Sequence, residues 1–591
     1  MERIKVWDKM LNIEKRNYNA VRAAENIKNE LKKIGVKVVE KWYEMQESIF
    51  VVRVYVENTT IGANGKGITK ELAIISAYGE LMERVSNLFH FRNSDIYEYY
   101  TEDCLYEYCI NEIYTDTVCE KPEQEKWLKM ALTDKEIKKI MQDPKVLFGK
   151  RNRIVNIPFK SIGEESQIYI PLKELNCLYG TNGMASGNTI KQAIIQGVLE
   201  IIERYVTFNV LNNNLLLPDI TEYVKKNEAI LNFLKKYEDD DFLIQVKDAS
   251  LDKDLPVIGI VMYNKKNLTY MVGFGTDFDI QMAIEKAIIE LCQGRDIKKK
   301  ENMIPIMTDS NEYDTEENRL RVFQLGIGKY GDNIFKMKVA KKYQCKIWNK
   351  AFYNEQEKID KLKEIIEKIG FDIYYIDNTC LKIPVCQVVI PGMSEITSNN
   401  YMELLQNYKW NEAINTYKKI SMNRIENIKQ TIHFIENSGI STLEELIKLP
   451  LKSNNSMQDV TREILLIVFN YAIGEYEEAY YNCIEYISRI KKIENIDEDI
   501  IKYYEIIACI INFKRNGWSD KQIVEVLEQF MPSEIVWECV MDMGREKIIE
   551  NIPIITCPNC LKCVLQKQCK FKEEKRLFAK IMEKRNCKDN N

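Results

Sequence analysis

Hydrophobic and polar positions change rhythm along the chain, and the change divides it. Up to about residue 395 two periods alternate. Tyr18 to Ile34 places apolar residues at the three-to-four spacing of an amphipathic helix. Ser48–Glu57, Ile168–Pro171, Val257–Tyr263 and Gln387–Ile390 are short apolar, β-rich runs typical of strands. That alternation predicts an α/β domain over residues 1–398. From Tyr401 to about Glu550 strand signals almost vanish, and amphipathic helices follow one another across short polar breaks such as Asn437-Ser438-Gly439 and Asn516-Gly517. An all-helical domain is expected over 399–550, followed by a Cys-rich tail, 551–591.

Within the helical region, Tyr408–Ile420 and Phe469–Ile487 set an alanine among aromatics at helix-hairpin spacing, reminiscent of tetratricopeptide units. No regular period of about 34 residues supports them, so a degenerate helical repeat and a non-repetitive bundle are both compatible with the pattern. The longest apolar run, Ile464–Phe469, falls far short of the roughly 18 residues a bilayer span needs. Met1–Ile13 mixes charged and apolar residues without the apolar stretch of a signal peptide, so a cytoplasmic location with no membrane attachment is expected.

Composition narrows the chemistry. Across 591 residues, 84 Lys+Arg stand against 89 Asp+Glu, a net charge of −5 that gives no basic footprint for nucleic acid. His90 and His433 are the only histidines, which leaves almost no room for a histidine-built zinc site or a serine–histidine triad. Most of the 16 cysteines, Cys292, Cys345, Cys386, Cys483 and Cys509 among them, sit in apolar segments as small hydrophobes. Carboxylates, cations or a cofactor must carry any reaction.

Comparison of the chain with itself locates them. Gly67–Arg84 reads GITKELAIISAYGELMER and Gly187–Arg204 reads GNTIKQAIIQGVLEIIER; at an offset of 120 residues Gly, Thr, Ala, Ile, Ile, Glu, Glu and Arg recur in register. One E-x-x-E-R on a helix commonly marks a solvated face with an internal ion pair. Two copies behind matching glycine loops predict two strand–loop–helix halves facing each other across a pseudo-twofold axis. Thr69 and Thr189 would cap the two helices where free N–H groups favour an anion such as phosphate. Glu80 with Glu83, and Glu200 with Glu203, lie three residues apart on one face, with Ser76 a turn before the first pair. Like charges at that spacing are unfavourable unless a cation sits between them, and all-oxygen ligands suit Mg²⁺. Arg84 and Arg204 come directly after and could clamp phosphate. No G-x-x-x-x-G-K-[ST] loop is present.

These residues resemble the YcaO family. GTNGMASGNTIKQAIIQGVLEIIERYV, from Gly180 to Val206, looks like its signature, and ANGKGITKELAIISAYGELMER like its first Ser-x-x-x-Glu-x-x-Glu segment. Gly273–Arg295, ending IIELCQGR, and Val388–Ser394, VVIPGMS, agree with two further motifs. The resemblance covers residues 1 to about 400, and the helical extension is like that of the stand-alone, full-length type. It implies an enzyme that uses ATP and Mg²⁺ to activate a backbone amide of a protein or peptide. A nucleophile adds to the carbonyl carbon, the oxyanion takes the γ-phosphoryl group and phosphate leaves, giving an azoline from Cys, Ser or Thr or a thioamide from sulfide. By resemblance Glu80, Glu83, Glu200 and Glu203 hold Mg²⁺ and, with Arg204, form the catalytic set. Ser76, Arg84, Asn188, Gln196, Lys286 and Glu290 would bind ATP. Phosphoryl transfer by positioning and charge neutralisation needs no histidine.

The chain also departs from the family pattern. Gln192 stands where many members have Glu, and Lys286 where Arg is frequent, which keeps charge without bidentate geometry. The chain ends Arg585-Asn586-Cys587-Lys588-Asp589-Asn590-Asn591, without the proline-rich tail of azoline-forming members. The stand-alone type is associated, as an accessory factor, with methylthiolation of a small-subunit ribosomal protein; that context implies a sulfur-donor or methylthiotransferase partner and leaves a homodimer open. Thioamide- or azoline-forming modification of a ribosomally made peptide, and a non-catalytic ATP-binding scaffold, are the alternatives. In the tail, Cys557, Cys560, Cys563 and Cys569 have the close spacing of a Zn²⁺ or iron–sulfur site.

Overall fold

The structure is a computed structural model. It describes residues 2–43, 49–93, 113–115, 149–150, 153–163, 165–172, 175–291, 303–306, 313–340, 342, 344–350, 352, 354–395, 425–437, 439–447, 459–493, 496–544, 565, 567 and 569–586, some of these, the first fifteen included, by backbone alone. The described residues divide into two compact units, those within 1–93, 107–403 and 574–591 and those within 404–573.

In the first unit a long helix α1 (Glu2–Lys33) precedes an antiparallel sheet of β1 (Val38–Tyr43), β2 (Phe50–Val56) and β3 (Gly62–Gly67), in that order. Helix α2 (Lys70–Ser86) comes at once after β3. A second sheet runs β4 (Ile113–Thr115), β6 (Arg153–Ser161), β15 (Tyr374–Asp377), β16 (Val385–Val389), β8 (Met184–Ser186), with β5 (Gly149–Lys150) and β7 (Gln167–Pro171) also paired to β6. Helix α3 (Ile190–Asn212) leaves β8. The third sheet is ordered β13 (Ile304–Pro305), β12 (Thr269–Thr276), β11 (Val257–Asn264), β10 (Phe242–Asp248), β9 (Pro218–Asp219), β14 (Lys338–Val339), and helix α4 (Ile280–Leu291) leaves β12. Two more helices of this unit, α5 (Glu316–Leu325) and α6 (Glu355–Lys368), both pack on α3.

Three times, then, a helix starts directly behind a strand, and each start has a polar cap. Thr69 and Thr189 hold nearly identical backbone angles (φ −136°, ψ 160° and φ −134°, ψ 158°), and each hydroxyl accepts the N–H three residues on, from Leu72 and Gln192. Asp279 does the same for α4 through the N–H groups of Gln281 and Met282. The two sequence copies thus share local form, while their strands β3 and β8 belong to different sheets.

Glycine lets the helices lie close. A Cβ on Gly65 of β3 would fall 2.1 Å from the Ala73 carbonyl oxygen of α2, and one on Gly275 of β12 would fall 2.2 Å from that of Ala283 of α4. Helix α3 is apolar nearly all round because it packs against β8, β12 and β16 as well as against α6.

The described part of the second unit is helical: α7 (Ile425–Asn437), α8 (Arg462–Ile473), α9 (Tyr476–Ile490), α10 (Glu498–Arg515), α11 (Asp520–Leu527) and α12 (Ser533–Asp542) are its longer elements. Phe469–Ile487 forms a helical hairpin in which Gly474, at φ +86°, ends α8 and frees the chain to start α9. Tyr408–Ile420 lies outside the described residues. The last described helix, α13 (Phe571–Asn586), belongs to the first unit from residue 574 on, where 551–591 was expected to form a separate tail. Leu577, Phe578 and Ile581 are buried, the Phe578 ring meets Phe91 edge-on at 4.9 Å, and Glu574 accepts from the backbone N–H and hydroxyl of Thr60 at 2.8 and 2.5 Å. No described helix is long and apolar enough to cross a membrane.

Candidate active site

Helices α2, α3 and α4 bring the acidic residues together. Glu80 and Glu83 project from α2, Glu200 and Glu203 from α3 and Glu290 from α4, and the mutual repulsion that several of these carboxylates exert shows how closely they are grouped. A cavity of about 800 Å³ opens beside them, lined by Glu80, Arg84, Glu203, Arg204 and Glu290 together with Lys66 of β3.

Each carboxylate has a different neighbour. Arg84 pairs with Glu80, and Arg204 Nη2 pairs with Glu200 Oε1 at 2.9 Å, both one helical turn apart. Lys66 Nζ lies 3.3 Å from both oxygens of Glu290. Glu83 Oε1 accepts from the backbone N–H and the hydroxyl of Ser186, each at 2.9 Å, which ties α2 to the end of β8. Thr276 donates its hydroxyl to Glu203 Oε2 at 3.2 Å.

Charge is poorly compensated at two of these positions. Burial, reinforced by Glu200 and Glu80, pushes the Glu83 carboxyl up to about 8. Burial, then Glu290, does the same to Glu203, against the opposing pull of Lys286, and it too reaches about 8. Glu80 and Glu200 are raised by burial as well, with Arg84 and Arg204 respectively as the chief opposing charges. Among the described residues no group of three or more His, Cys, Asp or Glu side chains stands in metal-holding geometry. The donor chemistry nevertheless fits a hard divalent cation. The ligands are all oxygen, and the two buried carboxyls held near 8 keep their protons at neutral pH until a cation takes the protons' place.

The remaining expected residues separate. Lys286 does not line the cavity; its Nζ is 2.9 Å from Asp277 Oδ2 and donates to the Thr276 carbonyl at 3.0 Å. Ser76 is exposed and lines neither this cavity nor the next. Asn188 and Gln196 line a second cavity of about 480 Å³ together with Asn26, Ile27, Gly79 and Glu355. Helix α2 contributes to the wall of both cavities, Gly79 lining the smaller and Glu80 the larger. At the start of α3, the place expected to attract an anion is taken by the chain's own carboxylate: Glu355 accepts from the Thr189 hydroxyl at 2.6 Å and from Gln192 Nε2 at 2.7 Å. Gln192 Oε1 in turn accepts from the backbone and side-chain amides of Asn188. Cys557, Cys560 and Cys563 lie outside the described residues; Cys569 is half-buried.

Four residues of the site were not expected from the sequence: Lys66, Ser186, Thr276 and Arg53, whose guanidinium borders the larger cavity from β2. A signal existed for two of them. Arg53 interrupts the apolar run FVVRVYV, and its register partner Asn64 is two residues before Lys66, so β2 and β3 present both cations on one sheet face.

Residues 64–394 match the family described as YcaO cyclodehydratase, ATP- and Mg²⁺-binding. The ribosomal protein S12 methylthiotransferase accessory factor YcaO of Escherichia coli K12 is 28% identical over 352 residues, 56% of this chain and 57% of that protein. A Haemophilus influenzae protein of uncharacterised function is 27% identical over 449 residues, 71% of this chain and 72% of its own. This chain therefore spans little more than half the length of the E. coli relative. Among solved structures, YcaO from Methanopyrus kandleri bound with AMPPCP and Mg²⁺ is 16% identical with a TM-score of 0.40, over 64% of this chain and 91% of that one. A heterocyclase in complex with substrate and cofactor is 17% identical with a TM-score of 0.42, over 63% and 52%. At those scores no residue is carried across. The family match covers more than half of the chain, including all three helices that supply the carboxylates, and the chain belongs to the YcaO family.

Proposed function

We propose that this chain uses ATP and Mg²⁺ to activate a backbone amide of a protein or peptide substrate. The observation that carries the reading is the grouping of buried carboxyls with Arg84, Arg204 and Lys66 beside a cavity large enough for a peptide segment, with a second cavity of nucleoside size also walled by α2. Glu80, Glu83, Glu200 and Glu203 would hold Mg²⁺, which supplies charge neutralisation for the phosphate chain. Arg84 and Arg204 now sit on Glu80 and Glu200; when those carboxylates turn to a cation, the two guanidiniums are released to phosphate oxygens. Asn188 and Gln196 would meet the nucleoside in the smaller cavity, and the peptide would enter the larger one.

The residues then position rather than perform covalent chemistry. A nucleophile adds to the amide carbon as it loses its proton, and the carbonyl oxygen becomes an oxyanion. That oxygen takes the γ-phosphoryl group, ADP leaves, and the C–O bond breaks to release phosphate bearing the former amide oxygen as a C=N bond forms with loss of the amide proton, giving an azoline, or a C=S bond forms with loss of the sulfur-bound proton, giving a thioamide. Lys66 and Arg204 border the cavity where negative charge develops. Neutral Gln192 gives no support to a non-catalytic scaffold, because it lies at Asn188 and Glu355 rather than among the five glutamates.

The E. coli relative gives the favoured context, an accessory role in methylthiolation of ribosomal protein S12. Titration of the full chain with Mg²⁺-ATP tests the site. Binding that disappears in Glu80→Gln and Glu203→Gln is expected; undiminished binding in both variants removes the assignment.

A further inference from the structure

The smaller cavity holds a carboxylate that the reaction does not use. Glu355, in the first turn of α6, borders it, opposite an apolar wall that includes Ile27, Ile75 and Ile383. Both of its oxygens are fixed by neutral donors from one turn of α3, the Thr189 hydroxyl on Oε2 at 2.6 Å and the Gln192 amide on Oε1 at 2.7 Å. Among the described residues no cation forms an ion pair with it. A carboxylate offers about four acceptor sites, so each oxygen keeps one for a ligand.

This arrangement constrains what the cavity takes. Lys358 and Lys382 also border the cavity, but a phosphate set against Glu355 itself would meet like charge, and the Thr189 and Gln192 side-chain donors at the start of α3 are already spent on the carboxylate. An uncharged ligand portion with two adjacent hydroxyl donors fits instead, since two hydroxyls of a vicinal diol match the two oxygens of a fixed carboxylate. Gly79 borders this cavity and Glu80 the larger one, so a nucleotide with its sugar at Glu355 runs its phosphates toward the glutamate cluster.

Resting on the proposed ATP site, we infer that Glu355 binds the 2′,3′-diol of the ribose and selects ribonucleotides over deoxyribonucleotides. Thr189 and Gln192 are positioning residues that hold the carboxylate. A site built to pair a hydroxyl discriminates strongly against an analogue lacking it, because its polar groups are left unmatched.

The test measures affinity of the full chain for Mg²⁺-ATP, Mg²⁺-2′-deoxyATP and Mg²⁺-3′-deoxyATP, in the wild type and in Glu355→Gln, with hydrogen exchange confirming that the variant is folded. In the wild type both deoxy analogues should bind at least about tenfold more weakly than ATP. In Glu355→Gln that preference should fall to about twofold or less. Equal binding of ATP and both analogues by the wild type overturns the inference while leaving the ATP site in place. Full ribose preference in a folded Glu355→Gln overturns the role of this residue. Failure of the wild type to bind any of the three overturns both this inference and the proposed function.

Discussion

Glu83→Gln should make the nucleotide-free protein more stable in alkali, because the native carboxyl is held against its own charge. Its ordinary value is 4.5 and its folded value about 8, raised by burial and by Glu200 and Glu80. A carboxyl raised on folding stabilises the fold relative to its charged state only while protonated. The contribution is complete below pH 4.5 and is lost as pH rises through about 8. With about 1.4 kcal/mol per pH unit, the cost is on the order of 2 kcal/mol at pH 6 and 4 to 5 kcal/mol at pH 9, a further loss of roughly 2 to 3 kcal/mol. Glutamine keeps an oxygen for the Ser186 N–H and hydroxyl, so the tie between α2 and β8 survives without the charge. Urea-dependent hydrogen exchange read on α3 peptides reports the first unit by itself. The wild type should lose stability steeply between pH 6 and pH 9, and Glu83→Gln should lose roughly 2 to 3 kcal/mol less. An unchanged slope, or a variant less stable than the wild type at pH 9, would refute the reasoning.

Three further outcomes are expected from the same geometry. Because Glu83 and Glu203 stand near 8, Mg²⁺-ATP binding at pH 7 should release about one to two protons, seen as a dependence of calorimetric heat on the buffer's ionisation enthalpy; no release would mean these groups do not meet the cation. Gln192→Glu should set two carboxylates against each other at the start of α3, cost about 1–3 kcal/mol in exchange stability of α3 and be relieved by Glu355→Gln, which a double-mutant cycle measures. Glu574→Ala leaves the Thr60 amide and hydroxyl without their carboxylate partner, so α13 should become protease-sensitive with a loss of about 1–3 kcal/mol; unaltered protection of α13 would count against a clamp.

What the sequence made legible was local. The recurrence of Gly, Thr and E-x-x-E-R encodes a capped helix behind a strand, and the matching backbone angles at Thr69 and Thr189 are its structural form. Spacing also placed Glu80 with Glu83 and Glu200 with Glu203, since residues three apart share a helix face. Contacts distant in sequence were not legible. Nothing near Thr189 announces that Glu355, 166 residues on, takes the anion's place there. Lys66 meets Glu290 across 224 residues, and the return of Glu574 to Thr60 spans 514. Asn188 and Gln196 were grouped with the glutamates because they share α3 or its loop, but the structure turns them to a different cavity.

The central claim, amide activation at the cavity beside the grouped glutamates, is tested most directly in cells that make either the wild-type chain or Glu203→Gln to equal levels. Mass spectrometry of their proteins, ribosomal protein S12 included, would search for a backbone oxygen replaced by sulfur, for loss of water, or for methylthiolation. The account predicts at least one such change that depends on the wild-type chain and vanishes with Glu203→Gln. Identical modification in both cultures, or none in either, would contradict it.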